Sequence, residues 1–177
     1  ARKPALLMLK LDGLTTKLVY EDGHLIQAST RGNGEVGEEI THNLPAYQNV
    51  PLSIPYRKRL VITGESYIHI NDFERLKETL VDSNGKKFRN ARNLVSGTVR
   101  SLNPETCAKR CVYFSPFNVL EGLDESPYSD SRQMRLSLLK ELGFDTCPYI
   151  SIEGPAPTEE LVTTSIDMLV TEASRRH

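Results

Sequence analysis

The chain has 177 residues, 38% of them hydrophobic and 25% charged, with a net charge of −1. That length accommodates one domain with a core of its own, without disulfide or metal staples. No apolar run approaches the roughly 18–20 residues of a membrane-spanning helix, and the N-terminus does not read as a signal peptide. Three cysteines, an odd number, argue against a disulfide framework and for a reducing compartment. The charge is unevenly spread: residues 86–110 hold seven basic side chains and one acid, a stretch of +6, and the rest of the chain carries −7. Such a stretch is either an anion-binding face or a solvated surface.

The elements follow in chain order. Residues 6–11 read as a buried strand, and 14–20 and 24–30 as strands joined by Glu21-Asp22-Gly23, a strong hairpin signal. Residues 31–37, Arg-Gly-Asn-Gly-Glu-Val-Gly, form a glycine-rich turn, with a short helix expected over 38–43. Residues 59–65 and 67–70 look like strand. Asn71-Asp72-Phe73-Glu74 is a capping-box pattern opening a helix to about 81. Residues 83–85 form a loop and 91–99 a helix. Asn103-Pro104 starts a short turn, an N-cap followed by proline. Residues 112–120 are strand, and 132–142 a helix ended by Gly143. A linker at 155–157 precedes a last amphipathic helix over 158–174. Short strands in hairpin order among helices predict an α+β domain built on antiparallel sheet.

Four segments can carry chemistry. In Lys10-Leu11-Asp12-Gly13, strand alternation puts Lys10 and Asp12 on one face. A lysine amine becomes a nucleophile when desolvation or neighbouring cations lower its pKa; a surface ion pair has the same signature. The glycine segment from Thr30 to Glu38 offers backbone N–H groups and the Arg31 guanidinium to a phosphate, or is simply a hairpin exit. Gly64-Glu65 sets a carboxylate beside a flexible residue at a strand end. On a helix, Arg92 and Arg100 are eight residues and about 80° apart, close enough to reach one anionic surface. Cys107 and Cys111 lie one helical turn apart with no histidine at ligand spacing, so zinc is not expected. No nucleophile-elbow motif is present. His24, His42 and His69 are expected on turns or surfaces.

Taken together, Lys10-x-Asp12-Gly13, Thr30-Arg31-Gly32-x-Gly34-x-x-Gly37-Glu38, Gly64-Glu65 and Phe88-x-Asn90-x-Arg92-Asn93-x-x-x-Gly97-x-x-Arg100-x-Leu102 resemble the adenylation domain of bacterial NAD-dependent DNA ligases. The likeness runs from about Leu6 to the last helix. The first element is shared with ATP-dependent ligases and capping enzymes; the second and fourth are more particular to the NAD-dependent family. The resemblance implies a nucleotidyltransferase fold, ATP-grasp-like, with antiparallel sheets flanked by helices. It implies that Lys10 attacks the α-phosphate of NAD to give lysyl-AMP and nicotinamide mononucleotide. AMP then passes to the 5′-phosphate of nicked double-stranded DNA, and the 3′-hydroxyl displaces it. By the same carry-over Asp12 orients the lysine, and Arg31 contacts the nucleotide or nick phosphate. Glu65 binds the ribose or a magnesium ion, Phe117 packs on adenine, and Arg92 and Arg100 bind phosphates. Positioning and positive charge are what in-line phosphoryl transfer requires.

The sequence departs from the family pattern at Met8 (usually glutamate), Asn33 (aspartate), Thr63 (arginine), Phe117 (tyrosine) and Asn118 (glycine). Residues 1–177 are expected to be a fragment of the adenylation domain, without its last catalytic strands or the small domain that binds nicotinamide mononucleotide. Such a fragment is expected to be inactive in ligation. The expected setting is a monomer in the bacterial cytoplasm, acting in DNA replication and repair. Two other readings remain: a degenerate copy that only binds nucleic acid, and an ATP-dependent RNA ligase or capping-type enzyme.

Overall fold

Asp22 and Gly23 both take positive φ, 48° and 80°. That is the geometry of the tight turn whose twist matches the flanking strands, and it closes the expected hairpin. The computed structural model describes residues 5–8, 11–31, 37–124, 132–146 and 149–152. The chain divides into two compact units. In the smaller, built from residues 1–10 and 147–177, β1 (Ala5–Met8) pairs antiparallel with β6 (Tyr149–Ile152), Ala5 opposite Ile152 and Met8 opposite Tyr149. The predicted strand 6–11 is thus shorter and earlier, and β6 was not expected. The predicted linker at 155–157 and helix at 158–174 lie outside the described residues.

The larger unit, residues 11–146, holds a four-stranded antiparallel sheet in the order β3-β2-β4-β5. Its strands are β2 (Leu14–Glu21), β3 (His24–Thr30), β4 (Leu60–Tyr67) and β5 (Tyr113–Glu121). Leu18, Tyr20, Leu60, Ile62 and Phe114 share one face and are fully buried. Leu44, Leu94, Val95, Val99, Leu136 and Leu139 complete the core. They come from a 3-10 helix (Thr41–Ala46), from α2 (Ala91–Val99) and from α4 (Arg132–Glu141). Tyr20 packs edge-on against Phe144 at 5.7 Å, and its hydroxyl donates to the Pro51 carbonyl at 2.6 Å.

Several boundaries differ from expectation for identifiable reasons. The predicted strand 59–65 runs on through Ser66 to Tyr67, because Ser66 finds partners inside, and the strand predicted over 67–70 does not form beyond Tyr67. The Ser66 hydroxyl lies 2.7 Å from Thr16 Oγ1 and 2.8 Å from the Tyr47 phenol, so a polar residue in mid-strand carries no unmet hydrogen bond. The helix expected at 38–43 starts later, because the Glu38 carbonyl still accepts from Thr30 and Glu39 bridges to Ser29. The capping box at Asn71 is not used. Helix α1 (Ile70–Leu76) starts from His69 without a side-chain cap. The His69 ring is held edge-on by Tyr67 and Tyr113, which fixes where the chain leaves β4. That packing also corrects the surface placement of His69, which is half-buried. Asn103 does cap, accepting from Glu105 N–H at 3.0 Å, but opens a full helix, α3 (Pro104–Arg110).

Ser66→Ala would strip the Tyr47 phenol of its partner inside the core. The expected cost is about 1–3 kcal/mol, read as a lowered midpoint in urea denaturation. Burial also pushes the Cys107 thiol up to about 11 and the Tyr20 and Tyr47 phenols above the ordinary tyrosine range. These groups stay neutral in the fold while their unfolded forms ionise first. Stability is therefore intact below about pH 9 and declines as the pH is raised towards 11. A urea midpoint that stays level over that interval would contradict this.

Candidate active site

Register, more than proximity in sequence, assembles the site. Thr15 of β2 lies directly opposite Glu65 of β4, and Glu65 opposite Ser115 of β5. Past the end of β3, the Arg31 N–H donates to the Thr15 carbonyl at 2.8 Å, which extends the ladder by one residue. Arg31, Thr15, Glu65 and Ser115 thus form a row across the sheet. Opposed residues in an antiparallel ladder share a face, and this face is the reverse of the one that bears Leu18 and Ile62. Glu65 is half-buried, with Oε1 shielded from solvent, and Arg31 is exposed. The next row is Ser29, Lys17, Thr63 and Asn118. Between Pro116 and Asn118, β5 carries one residue more than β4, and that residue is Phe117. Bulges of this kind re-aim a side chain beside a site; Phe117 is half-buried.

Gly13 begins the seating of this row. A Cβ there would collide with the Ser66 carbonyl oxygen, the residue after Glu65. The glycine of Lys10-x-Asp12-Gly13 is therefore required by the close passage of β4. Asp12 lies exposed in a bend ahead of β2, so the alternation argument that paired it with Lys10 does not apply. Lys10 itself falls outside the described residues, as do Gly32, Asn33 and Gly34. The neck of that glycine segment is closed by Thr30 and Glu38. The Glu38 N–H donates to Thr30 Oγ1 at 3.1 Å, and the Thr30 N–H to the Glu38 carbonyl at 2.9 Å.

The basic stretch does not present a single face. On α2, Asn90 accepts from the Asn93 N–H at 2.8 Å, and Leu94, Val95, Thr98 and Val99 are buried. At 100° per residue, Arg92, Ser96 and Arg100 line one edge of the exposed side. Gly97, on the other edge, lies against Phe88. Arg110 stacks over Phe88 at 5.7 Å and donates to Thr98 Oγ1 at 2.9 Å, so its charge is committed inside the fold. Burial lowers its pKa. Arg100 lies 3.7 Å from Glu38, tying the glycine segment's neck to α2. Lys87 is 3.9 Å from Glu78. Arg92 is exposed and has no ion pair among the described residues.

The model for the NAD-dependent DNA ligase adenylation domain matches residues 3–172. The chain belongs to this family. It is 42% identical over 166 residues to a DNA ligase of Lachnoclostridium phytofermentans, covering 93% of this chain and 25% of the relative. It is 43% identical over 144 residues to one of Ruminiclostridium cellulolyticum, covering 81% and 22%. With the DNA ligase of Bacillus subtilis it shares 38% identity over 138 residues, covering 78% and 20%. The chain spans about a fifth to a quarter of the length of these curated relatives.

Within an adenylation-family chain, Arg31 and Glu65 meet on one sheet face and Phe117 sits on the bulged strand beside them. Arg92 and Arg100 lie on a separate helix. The sequence reading missed Lys17, which register puts on the Glu65 face, and the ring cluster of Tyr67, His69 and Tyr113. Strand phase in 14–20 carried a signal for Lys17, but only the pairing says what it faces. Magnesium, which the family resemblance implies, is held by one or two carboxylates with waters and substrate phosphates. Glu65 has the donor type for that. Among the described residues no group of three His, Cys, Asp or Glu side chains forms a protein cage. Nor is any helix among them long and apolar enough to cross a membrane.

The different commitments of the two arginines make a prediction. Arg110→Met removes a hydrogen bond and a ring contact and should destabilise the fold by about 1–2 kcal/mol. Arg92→Met should stay within about 0.5 kcal/mol. Paired urea titrations read the difference.

Proposed function

We propose that the chain is the adenylation core of an NAD-dependent DNA ligase, and that by itself it does not ligate and adenylates itself poorly. The Lys10 amine attacks the α-phosphate of NAD. A nitrogen–phosphorus bond forms, the bond to the bridging oxygen breaks, nicotinamide mononucleotide departs, and the amine releases a proton. In the whole ligase AMP then moves to the 5′-phosphate of a DNA nick, and the 3′-hydroxyl displaces it to seal the strand, the step that replication and repair need. Magnesium, when bound, supplies positive charge at the transferring phosphate.

The observation that supports this reading is the seating of Gly13, the glycine of the Lys10-x-Asp12-Gly13 motif. It packs on the carbonyl of Ser66, and the residue before Ser66 is Glu65. Glu65 in turn shares its row with Arg31. On this reading Glu65 takes the ribose hydroxyls or a magnesium ion, and Arg31 balances phosphate charge. Asp12 orients the lysine, and Phe117 supplies an aromatic face for adenine. Charge aimed at the phosphates lowers the barrier because it is already in place when the bond breaks. Exposed Arg92, with Arg100 at the same helix edge, holds DNA phosphates.

The test is intact-protein mass spectrometry of the full-length ligase that carries this chain, after incubation with NAD and magnesium, with ATP and GTP in parallel. The expected result is an AMP adduct with NAD alone, absent in Lys10→Ala. An adduct only with ATP or GTP would assign the chain to the RNA-ligase or capping class. No adduct, with nicked duplex still bound, would leave a nucleic-acid-binding module.

A further inference from the structure

Lys17 is a cation in an unusual place. It sits in the middle of β2, an interior strand of the sheet, so it is not a charge guarding an exposed edge. Its chain neighbours Thr16 and Leu18 are both fully buried, and Lys17 itself is half-buried. Lysine is depleted in such strands because the pleated surface favours branched and aromatic side chains. Across the ladder Lys17 faces Ser29 on one side and Thr63 on the other, both small and uncharged. In the segment just ahead of β4 the cations are matched: Arg59 pairs with Glu21 and Glu121, and Arg57 with Asp22. Lys17 has no ion pair or side-chain hydrogen bond among the described residues.

Among the described residues, its charged neighbours on this face are Arg31 and Glu65. Both are diagonal to Lys17 in the register, since Arg31 and Glu65 flank Thr15 and Lys17 is two residues further along the strand. Diagonal positions are about 7–8 Å apart, within reach of long side chains. Among the described residues, two cations and one carboxylate face one another here. The like charges of Lys17 and Arg31 repel unless an anion lies between them, and the half-buried setting raises that cost.

We infer that Lys17 is a binding residue of the nucleotide site, donating to a phosphate oxygen of the bound nucleotide alongside Arg31. The inference rests on the adenylation reading and adds a specificity to it: this contact is made to phosphate and not to base or ribose. Lys17→Met keeps the aliphatic stem and removes the charge; Lys17→Arg keeps the charge. Calorimetric titration of the chain with AMP and with adenosine separates the parts of the ligand. Lys17→Met should weaken AMP about tenfold and leave adenosine unchanged, while Lys17→Arg stays within about threefold of the parent for both. Thermal unfolding of both variants should match the parent. Unchanged AMP affinity in Lys17→Met, or equal losses for AMP and adenosine, would overturn the inference and leave the adenylation reading standing. A parent chain that binds neither compound would overturn that reading and the inference with it.

Discussion

The fit of β2 onto β4 is the constraint on which the candidate site depends. At the start of β2, Gly13 passes so close to the Ser66 carbonyl that no side chain can stand there. One residue pair further in, the hydroxyls of Thr16, Ser66 and Tyr47 are linked through the core. Burial keeps the Tyr47 phenol protonated, so it remains able to donate to Ser66. A buried polar network is stabilising only when every member is satisfied, and this one tolerates a single register. A slip by one residue would turn Thr15 and Lys17 into the core and put Thr16 and Leu18 on the opposite face. The same register puts Arg31 and Glu65 in one row, although the 3-10 helix and most of β4 lie between them in the chain.

Charge on this protein is sorted by what each cation touches. Arg110 is spent on Phe88 and Thr98, and so it holds α3 and the segment before α2 together. Arg100 leans towards Glu38 at the neck of the glycine segment, an exposed pair of small energetic weight. Arg92 points along the free edge of α2. The basic stretch seen in the sequence is therefore at least two surfaces with different duties. The sequence left it as either an anion-binding face or a solvated surface, and its charges do not share one face.

The hairpin at Asp22-Gly23 and helix α2 were legible in the sequence because their signals are local. A positive-φ turn, an Asn90 cap and a helical spacing of apolar residues need no knowledge of the rest of the chain. The 3-10 helix, the start of α1 and the unbroken run of β4 through Ser66 were not legible. Each depends on a partner outside its own segment: Thr30 for Glu38, Tyr113 for His69, Thr16 and Tyr47 for Ser66. The site divides in the same manner. Arg31, Glu65 and Phe117 could be named from motif, whereas Lys17 could not, because its neighbours come from two other strands.

Sequence alone determined the family, through four ordered motifs whose glycines and charged residues have fixed spacing. It also determined the α+β character, through short alternating segments and their turns. Tertiary structure decided which of those residues share a face. Strand pairing is a long-range choice, made where packed glycine and linked hydroxyls admit one register. No local pattern records it. That choice brings Arg31 and Glu65 onto one surface with Lys17, turns Arg110 inward, and leaves Arg92 free.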